Sequence, residues 1–530
     1  MLTLSEDAVK MATLFGSVAL CTACASFVPA RAKEQPYALT EDGAVFGTTV
    51  NGEDKFLGLR YAQPPIGNLR WQPPQSVPRG FRQVIDGTKF GPHCPQPASF
   101  VGIASTTEDC LFLNVYTPAR EIAFAARPLP VMVWIHGGGF VAGESDDYDP
   151  VRLVTQGRVV VVTLNYRLGA LGVLAHPALD SEGHPAANYS ILDQQAALRW
   201  VRRNVEGFGG DPGNVTVFGQ SSGGHSVLAN LASPGAHGLF EAAIVESGAY
   251  ADTTQPSLTS AEAHGQAFAN AVGCADQTAT CLRGVPVERM LPLTPGLLST
   301  TSIVDGQVLP QSIETALASG QFNHVPVMNG SNHDEGRFLN AIAFDLAGGP
   351  LAASALPQTV AGMYGAQATP VILAQYPLAN YGGSAPNAPD LAFSAILGDS
   401  LFSCGAYRAD VALARYVPTY AYEFNDEGAP EKILPPVSFP YGATHSIELP
   451  FLFGALALSG NEASLAGTMV QYWTQFARSH EPAAPGQPYW PRYYSGVYDA
   501  IQSLAPNAIV LESGFMTAHN CTFWTPAATQ

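Results

Sequence analysis

Charged residues are scarce in this chain. They make up 13% of its 530 residues, against 47% hydrophobic, which excludes an intrinsically disordered chain too polar to support a core. Basic residues are scarcer still, 25 Lys and Arg against 43 Asp and Glu, for a formal charge of −18. A surface this acidic repels phosphate backbones and anionic lipid, which argues against nucleic acid as a partner. Beyond the N-terminus no stretch is long and apolar enough to span a bilayer. That same part has no CxxC pair, so the cysteines lack zinc-ligand spacing. Internal repeats are absent too, and no linker is long enough to cut the chain in two. The length can therefore serve one large core.

The N-terminus reads as an export signal. Lys10 precedes the run "MATLFGSVALCTACASFVPA", and Ala30 and Ala32 frame a small-residue cleavage site, so residues 1–32 are expected to be a signal peptide. Glu6 and Asp7 are atypical of such a segment, and an uncleaved anchor or a lipid-modified Cys24 are the competing readings. Export predicts a secreted or periplasmic protein with no stable membrane insertion after signal removal. The cysteines agree. Without Cys21 and Cys24, six remain: Cys94, Cys110, Cys274, Cys281, Cys404 and Cys521. An even number in an oxidising compartment predicts three disulfides, paired by proximity as Cys94–Cys110, Cys274–Cys281 and Cys404–Cys521.

Strand-like and helix-like runs alternate along the rest. "LPVMVWIH" (129–136), "RVVVVTLNY" (158–166), "NVTVFG" (214–219), "EAAIVES" (241–247), "HVPVMNG" (324–330) and "TYAYEF" (419–424) predict strands, several apolar on both faces. "NYSILDQQAALRWVRRNV" carries Ile191, Ala197, Leu198 and Val201 at helical spacing. Buried strand followed by helix, repeated, predicts an α/β fold with a mostly parallel sheet. The segment "GAVFGTTVNGEDKFLGLRYA" instead predicts antiparallel hairpins. The Ala- and Pro-rich stretch from 250 to 400 is expected to supply helices over the site.

One strand-to-helix junction carries chemistry. "VTVFGQSSGGHSV" holds Gly219-Gln220-Ser221-Ser222-Gly223 between a strand and a helix start. That is the G-x-S-x-G pattern, whose glycines permit a turn tight enough to raise the central hydroxyl above the sheet. The central residue is Ser221. The backbone N–H of Ser222, at the helix N-terminus, can face an oxyanion. A plain Gly/Ser turn is the bland alternative, and the strand–turn–helix context speaks against it. A serine also needs a base and an oxyanion hole. The second motif, "WIHGGGF", runs from a strand into His136-Gly137-Gly138-Gly139-Phe140 and offers bare backbone N–H groups for that hole.

With these motifs in view the chain resembles a family. "FGGDPGNVTVFGQSSGG" (208–224) and "EDCLFLNVYTP" (108–118) look like the two signatures of type-B carboxylesterases, the cholinesterase-like branch of the α/β-hydrolases. "RYAQPPIGNLRWQPP" (60–74), "NYRLGALGVLA" (165–175), "DQQAALRWVRRN" (193–204), "SNHDEGRF" (331–338) and "GATHSIELPFLFG" (442–454) are similar as well. The resemblance implies an α/β-hydrolase domain over 33–530, with a large, mostly parallel sheet flanked by helices. It implies Ser221 as nucleophile, Glu335 as acid and His445 as base, in the chain order of that fold. It also implies that Gly138, Gly139 and Ser222 donate the oxyanion N–H groups and that Glu448 supports the site.

On residue type alone His445 is one of twelve histidines, and Asp334 competes with its neighbour Glu335 for the acid's role. Within the helix after the elbow His225 is expected to point elsewhere, and His136 to brace the glycine loop. This chemistry needs no metal or organic cofactor, and its partner is a small-molecule ester. In cholinesterases the first disulfide closes a long loop with a tryptophan for a quaternary ammonium. Here that loop's single aromatic is Phe100, so a broad carboxylesterase is expected instead. A lipase or feruloyl-type aromatic-ester hydrolase is the alternative among enzymes. Outside them stands a non-catalytic cholinesterase-like binding module.

Overall fold

The structure is a computed structural model and describes residues 35–524, apart from 79–82, 120–126, 185–186, 251–254, 294–300, 455–457, 459, 495–498 and 507. The expected signal segment 1–32 lies outside the described residues. In chain order the strands are β1 (Tyr37–Thr40), β2 (Gly43–Phe46), β3 (Thr48–Val50), β4 (Glu53–Arg60), β5 (Val84–Asp86), β6 (Phe112–Pro118) and β7 (Leu129–Ile135). Then follow β8 (Val160–Leu164), β9 (Gly210–Gln220), β10 (Ala242–Glu246), β11 (Val327–Asn332), β12 (Thr419–Phe424), β13 (Ile501–Leu504) and β14 (Val510–Glu512). Eleven of them form one sheet in the order β14-β13-β12-β11-β10-β9-β7-β8-β6-β4-β3. The run from β8 to β13 is parallel, and the antiparallel pairs lie toward its two edges. The hairpin β1–β2 pairs with β5 in a small separate sheet.

The central strands are rich in Val and Ile, which fit a pleated surface, and each face buries its own side chains. Val131, Val133, Ile135, Val160, Val162, Val215, Val217, Val245 and Val327 point to one layer. There they meet the helices Tyr189–Asn204, Ser222–Ala232 and Cys404–Leu413. Met132, Trp134, Val161, Phe218, Ile244, Met328 and Tyr422 point to the other, under the helix Gly460–Ser479 and the segment 443–453. Six strands were expected and six are found, with one shifted. The run expected at 324–330 becomes a strand at Val327–Asn332, because Pro326 has no N–H to give a ladder. The region from 250 to 400 is mainly helical, as expected.

Three disulfides join Cys94 to Cys110, Cys274 to Cys281 and Cys404 to Cys521. The last fastens the C-terminal segment. Beside it His519 lies buried between two carboxylates, Nδ1 at 2.7 Å from Asp399 and Nε2 at 2.5 Å from Glu423. Of the four N-x-S/T motifs, those at Asn188 and Asn329 are buried and hydrogen-bonded inside the fold. No described helix is long and apolar enough to cross a membrane.

Candidate active site

The elbow is as tight as its glycines predict. Strand β9 ends at Gln220, the helix Ser222–Ala232 begins two residues later, and Ser221 between them sits at φ 56°, ψ −125°. That conformation is strained for a residue with a side chain, and such strain persists only where the surroundings enforce it. Here Ser221 N–H donates to Glu246 O at 2.9 Å, and Ser221 O accepts from His225 N–H at 2.8 Å. A Cβ on Gly219 or Gly223 would stand 2.6 or 1.9 Å from the carbonyl oxygen of Ile135. Only glycine lets the turn press this close to β7.

The glycine loop follows β7 directly. A Cβ on Gly137 would lie 3.1 Å from Ser221 Cβ, so the loop passes right over the nucleophile. Gly138 adopts φ 103°, and a Cβ there would collide with Ala142 O at 1.9 Å. Among the described residues, the N–H groups of Gly138, Gly139 and Ser222 enter no backbone hydrogen bond. His136 braces the loop: its Nδ1 lies 2.8 Å from Gly137 O, and its ring stacks on Tyr166 at 4.4 Å. Burial pushes its pKa down to about 4, so it stays neutral. Gly169 N–H donates to Phe140 O at 2.6 Å, and the buried Arg167–Asp193 ion pair, 2.7 Å, fixes the segment that does so.

Glu335 and His445 meet beside Gln220, the residue before Ser221. His445 Nδ1 is 2.5 Å from Glu335 Oε2, and Glu335 Oε1 accepts from Asn332 N–H at 2.8 Å. Both side chains are buried. Burial alone would push the His445 pKa down, but the charge and hydrogen bond of Glu335 outweigh it, and the net direction is up. Asp334 faces elsewhere. It pairs with Arg337 at 2.9 Å and accepts from Ala443 N–H at 3.0 Å, which grips the segment leading to His445. Asn332 adds a second grip, donating to Thr444 O at 2.8 Å.

Beneath the pair lies a polar patch that the sequence reading touched only at Glu448. Along the face that carries Phe218, Ile244 and Met328, the strands β9, β10 and β11 end in Gln220, Glu246 and Asn332. Asn332 Nδ2 donates to Glu448 at 2.5 Å, and Trp473 Nε1 to Glu246 at 2.8 Å. Glu246 Oε2 and Glu448 Oε1 have no hydrogen-bond partner among the described residues. Burial and the charge of Glu335 push Glu448 up to about 7, while burial and then Glu448 push Glu246 well above the carboxylate range. The signal for these residues was available in period two: each strand's inward stripe turns polar at its C-terminal end.

His225 points away from Ser221, with Nε2 at 2.9 Å from Ser302 Oγ and Nδ1 at 3.1 Å from Tyr250 O. Two rings flank His445, Phe402 at 4.8 Å and Phe338 at 5.8 Å. Phe402 comes from a π-helical turn, Asp399–Ser403, a distortion frequent at functional sites. Phe100 in the first disulfide loop is half exposed. This assembly can support acyl transfer: a strained serine, a histidine hydrogen-bonded to a glutamate, and a glycine loop packed against the serine.

Comparison with known proteins gives the same direction. The model of the carboxylesterase family matches residues 34–524. A para-nitrobenzyl esterase of Bacillus subtilis is 35% identical over 86% of this chain and 92% of its own length. A human cocaine esterase is 32% identical over 93% of this chain and 92% of its own. Among solved structures, a PNB esterase superposes with a TM-score of 0.75 at 33% identity, covering 90% of this chain and 97% of that one.

Proposed function

The chain belongs to the carboxylesterase family and is a carboxylic ester hydrolase, and we propose that it works through an acyl-enzyme formed on Ser221. Ser221 Oγ attacks the ester carbonyl while His445 Nε2 takes its proton. Glu335 holds the imidazole by Nδ1 and stabilises the imidazolium. The N–H groups of Gly138, Gly139 and Ser222 receive the oxyanion. As the tetrahedral intermediate collapses, the ester C–O bond breaks and His445 returns the proton to the leaving alcohol. Water then attacks the acyl carbon by the same route, and Ser221 is regenerated.

The observation that carries this reading is the 2.5 Å contact of His445 with Glu335 beside the strained Ser221 elbow. A fluorophosphonate probe tests it. Labelling is expected at Ser221, with Ser221→Ala abolishing both label and turnover. Ser222→Ala should keep substantial activity, since its part is a backbone N–H. A label on Ser222 would reverse the reading of the elbow.

A second reading, an aromatic-ester hydrolase, draws on the Phe338 and Phe402 rings beside His445. A panel of p-nitrophenyl, feruloyl, choline and triglyceride esters separates it from a broad carboxylesterase. The three disulfides support export and a secreted or periplasmic location, with residues 1–32 removed and 33–530 acting as one domain.

A further inference from the structure

With Nδ1 committed to Glu335, His445 Nε2 is the atom that must receive the proton of Ser221. In the structure Gln220 Nε2 stands 3.2 Å from it, and among the described residues no hydrogen bond joins Ser221 Oγ to His445. The neutral ring, protonated on Nδ1, presents a lone pair at Nε2, and the Gln220 amide N–H donates into it. Gln220 is 2% exposed, and its register against Glu246 in β10 fixes its backbone. Its Oε1 lies against the glycine loop, 3.1 Å from where a Gly137 Cβ would be. The amide thus spans from the oxyanion loop to the base.

We propose that Gln220 is a positioning residue: its amide holds the imidazole of His445 in the neutral form that can take a proton, and yields Nε2 to Ser221 as the serine attacks. This rests on His445 being the base. The physical reason is donor matching. An imidazolium carries a proton on Nε2, which would face the amide N–H donor to donor, so with Oε1 turned to the glycine loop the hydrogen bond forms only to the neutral ring. A bond made only to the neutral form disfavours the charged one. The charged and titratable groups around His445 pull the other way. Glu335 binds Nδ1, and Glu448 approaches from the ring's own segment. Burial keeps Glu246 from β10 and the Tyr422 phenol from β12 protonated, so the charge that acts on the ring comes from Glu335 and Glu448. Gln220 opposes these carboxylates at the atom that reacts.

The test is the pH profile of kcat/KM for p-nitrophenyl ester hydrolysis by the unaltered enzyme, Gln220→Met and Gln220→Glu. The midpoint of the acid limb does not depend on how much protein is active, so partial misfolding cannot imitate the result. Gln220→Met should move that midpoint up by about half a unit, the scale of one neutral hydrogen bond. Gln220→Glu should move it up by about one unit or more, because a carboxylate accepts from the imidazolium. Variants that lose rate with an unchanged midpoint would make Gln220 merely structural and overturn the proposal, as would a downward shift. If the unaltered enzyme has no acid limb between about pH 4 and 8, the assignment of His445 as base fails instead.

Discussion

Asp334 and Glu335 are neighbours of like charge, yet they face different tasks. Glu335 stands just before the short helix Gly336–Asn340 and makes no capping bond to it, and the next residue must be small: a Cβ on Gly336 would fall 2.0 Å from Ser394 O. That close packing turns Glu335 inward to His445 and leaves Asp334 to hold Arg337 and the Ala443 N–H. Sequence position alone could not separate the two; the family resemblance favoured Glu335, and of the pair it is Glu335 that lies against His445. Loss of the acid in a serine hydrolase triad costs roughly 10⁴-fold in turnover. Glu335→Gln should therefore lower kcat by about three to four orders of magnitude with an unchanged circular dichroism spectrum. Asp334→Asn keeps an acceptor for Ala443 but loses charge against Arg337, and should cost about tenfold or less. A crippled Asp334→Asn beside a working Glu335→Gln would exchange their roles.

At the scale of elements, the strands were legible because burial on both faces writes continuous Val/Ile runs. Less legible was what happens at their ends. Gln220 reads as a filler between a glycine and a serine, and Glu246 as the end of an apolar run. Their meaning comes only when β9, β10 and β11 lie side by side. The C-terminal clasp was equally hidden, since His519, Asp399 and Glu423 are far apart in sequence. Burial opposes the charge on His519, but Glu423 and Asp399 more than compensate and raise its pKa to about 10. Its unfolded value is about 6.5. A group raised in this sense stabilises fully below the unfolded pKa, and the contribution is lost as pH climbs through the folded one. Nearby Glu512, pushed up to about 8 by burial and Glu423, changes stability in the same direction at lower pH. Between about pH 8 and 10 buried tyrosines also begin to lose stability in the same direction, so His519 is read from the difference between the two proteins in that window. Melting temperature should fall across it in the unaltered protein and fall less in His519→Gln. Parallel slopes would mean that the clasp carries no charge.

For the whole molecule, the motifs that carried the resemblance turn out to hold one another. Arg70 of "GNLRWQPP" pairs with Glu108 of "EDCLFLN" at 2.5 Å, Arg60 with Asp109 at 2.5 Å, and Arg167 of "NYRLG" with Asp193 of "DQQAALRW" at 2.7 Å. A linear reading identified each motif but not its partner, because pairing is a property of the folded topology. That topology also sets a clock. In the sheet β7 lies between β8 and β9, so neighbours are not made in chain order. Ser221 follows β9, Glu335 follows β11, and His445 follows β12. Parallel pairing between distant segments is intrinsically slow to form, whereas helices form early and locally. Refolding from denaturant with the disulfides intact should thus restore the far-UV helical signal well before ester turnover returns. Hydrolysis is then a stopwatch for the last docking step, the arrival of the 443–448 segment over three assembled strands. Coincident recovery of the two signals would mean that the sheet and its histidine form in a single step.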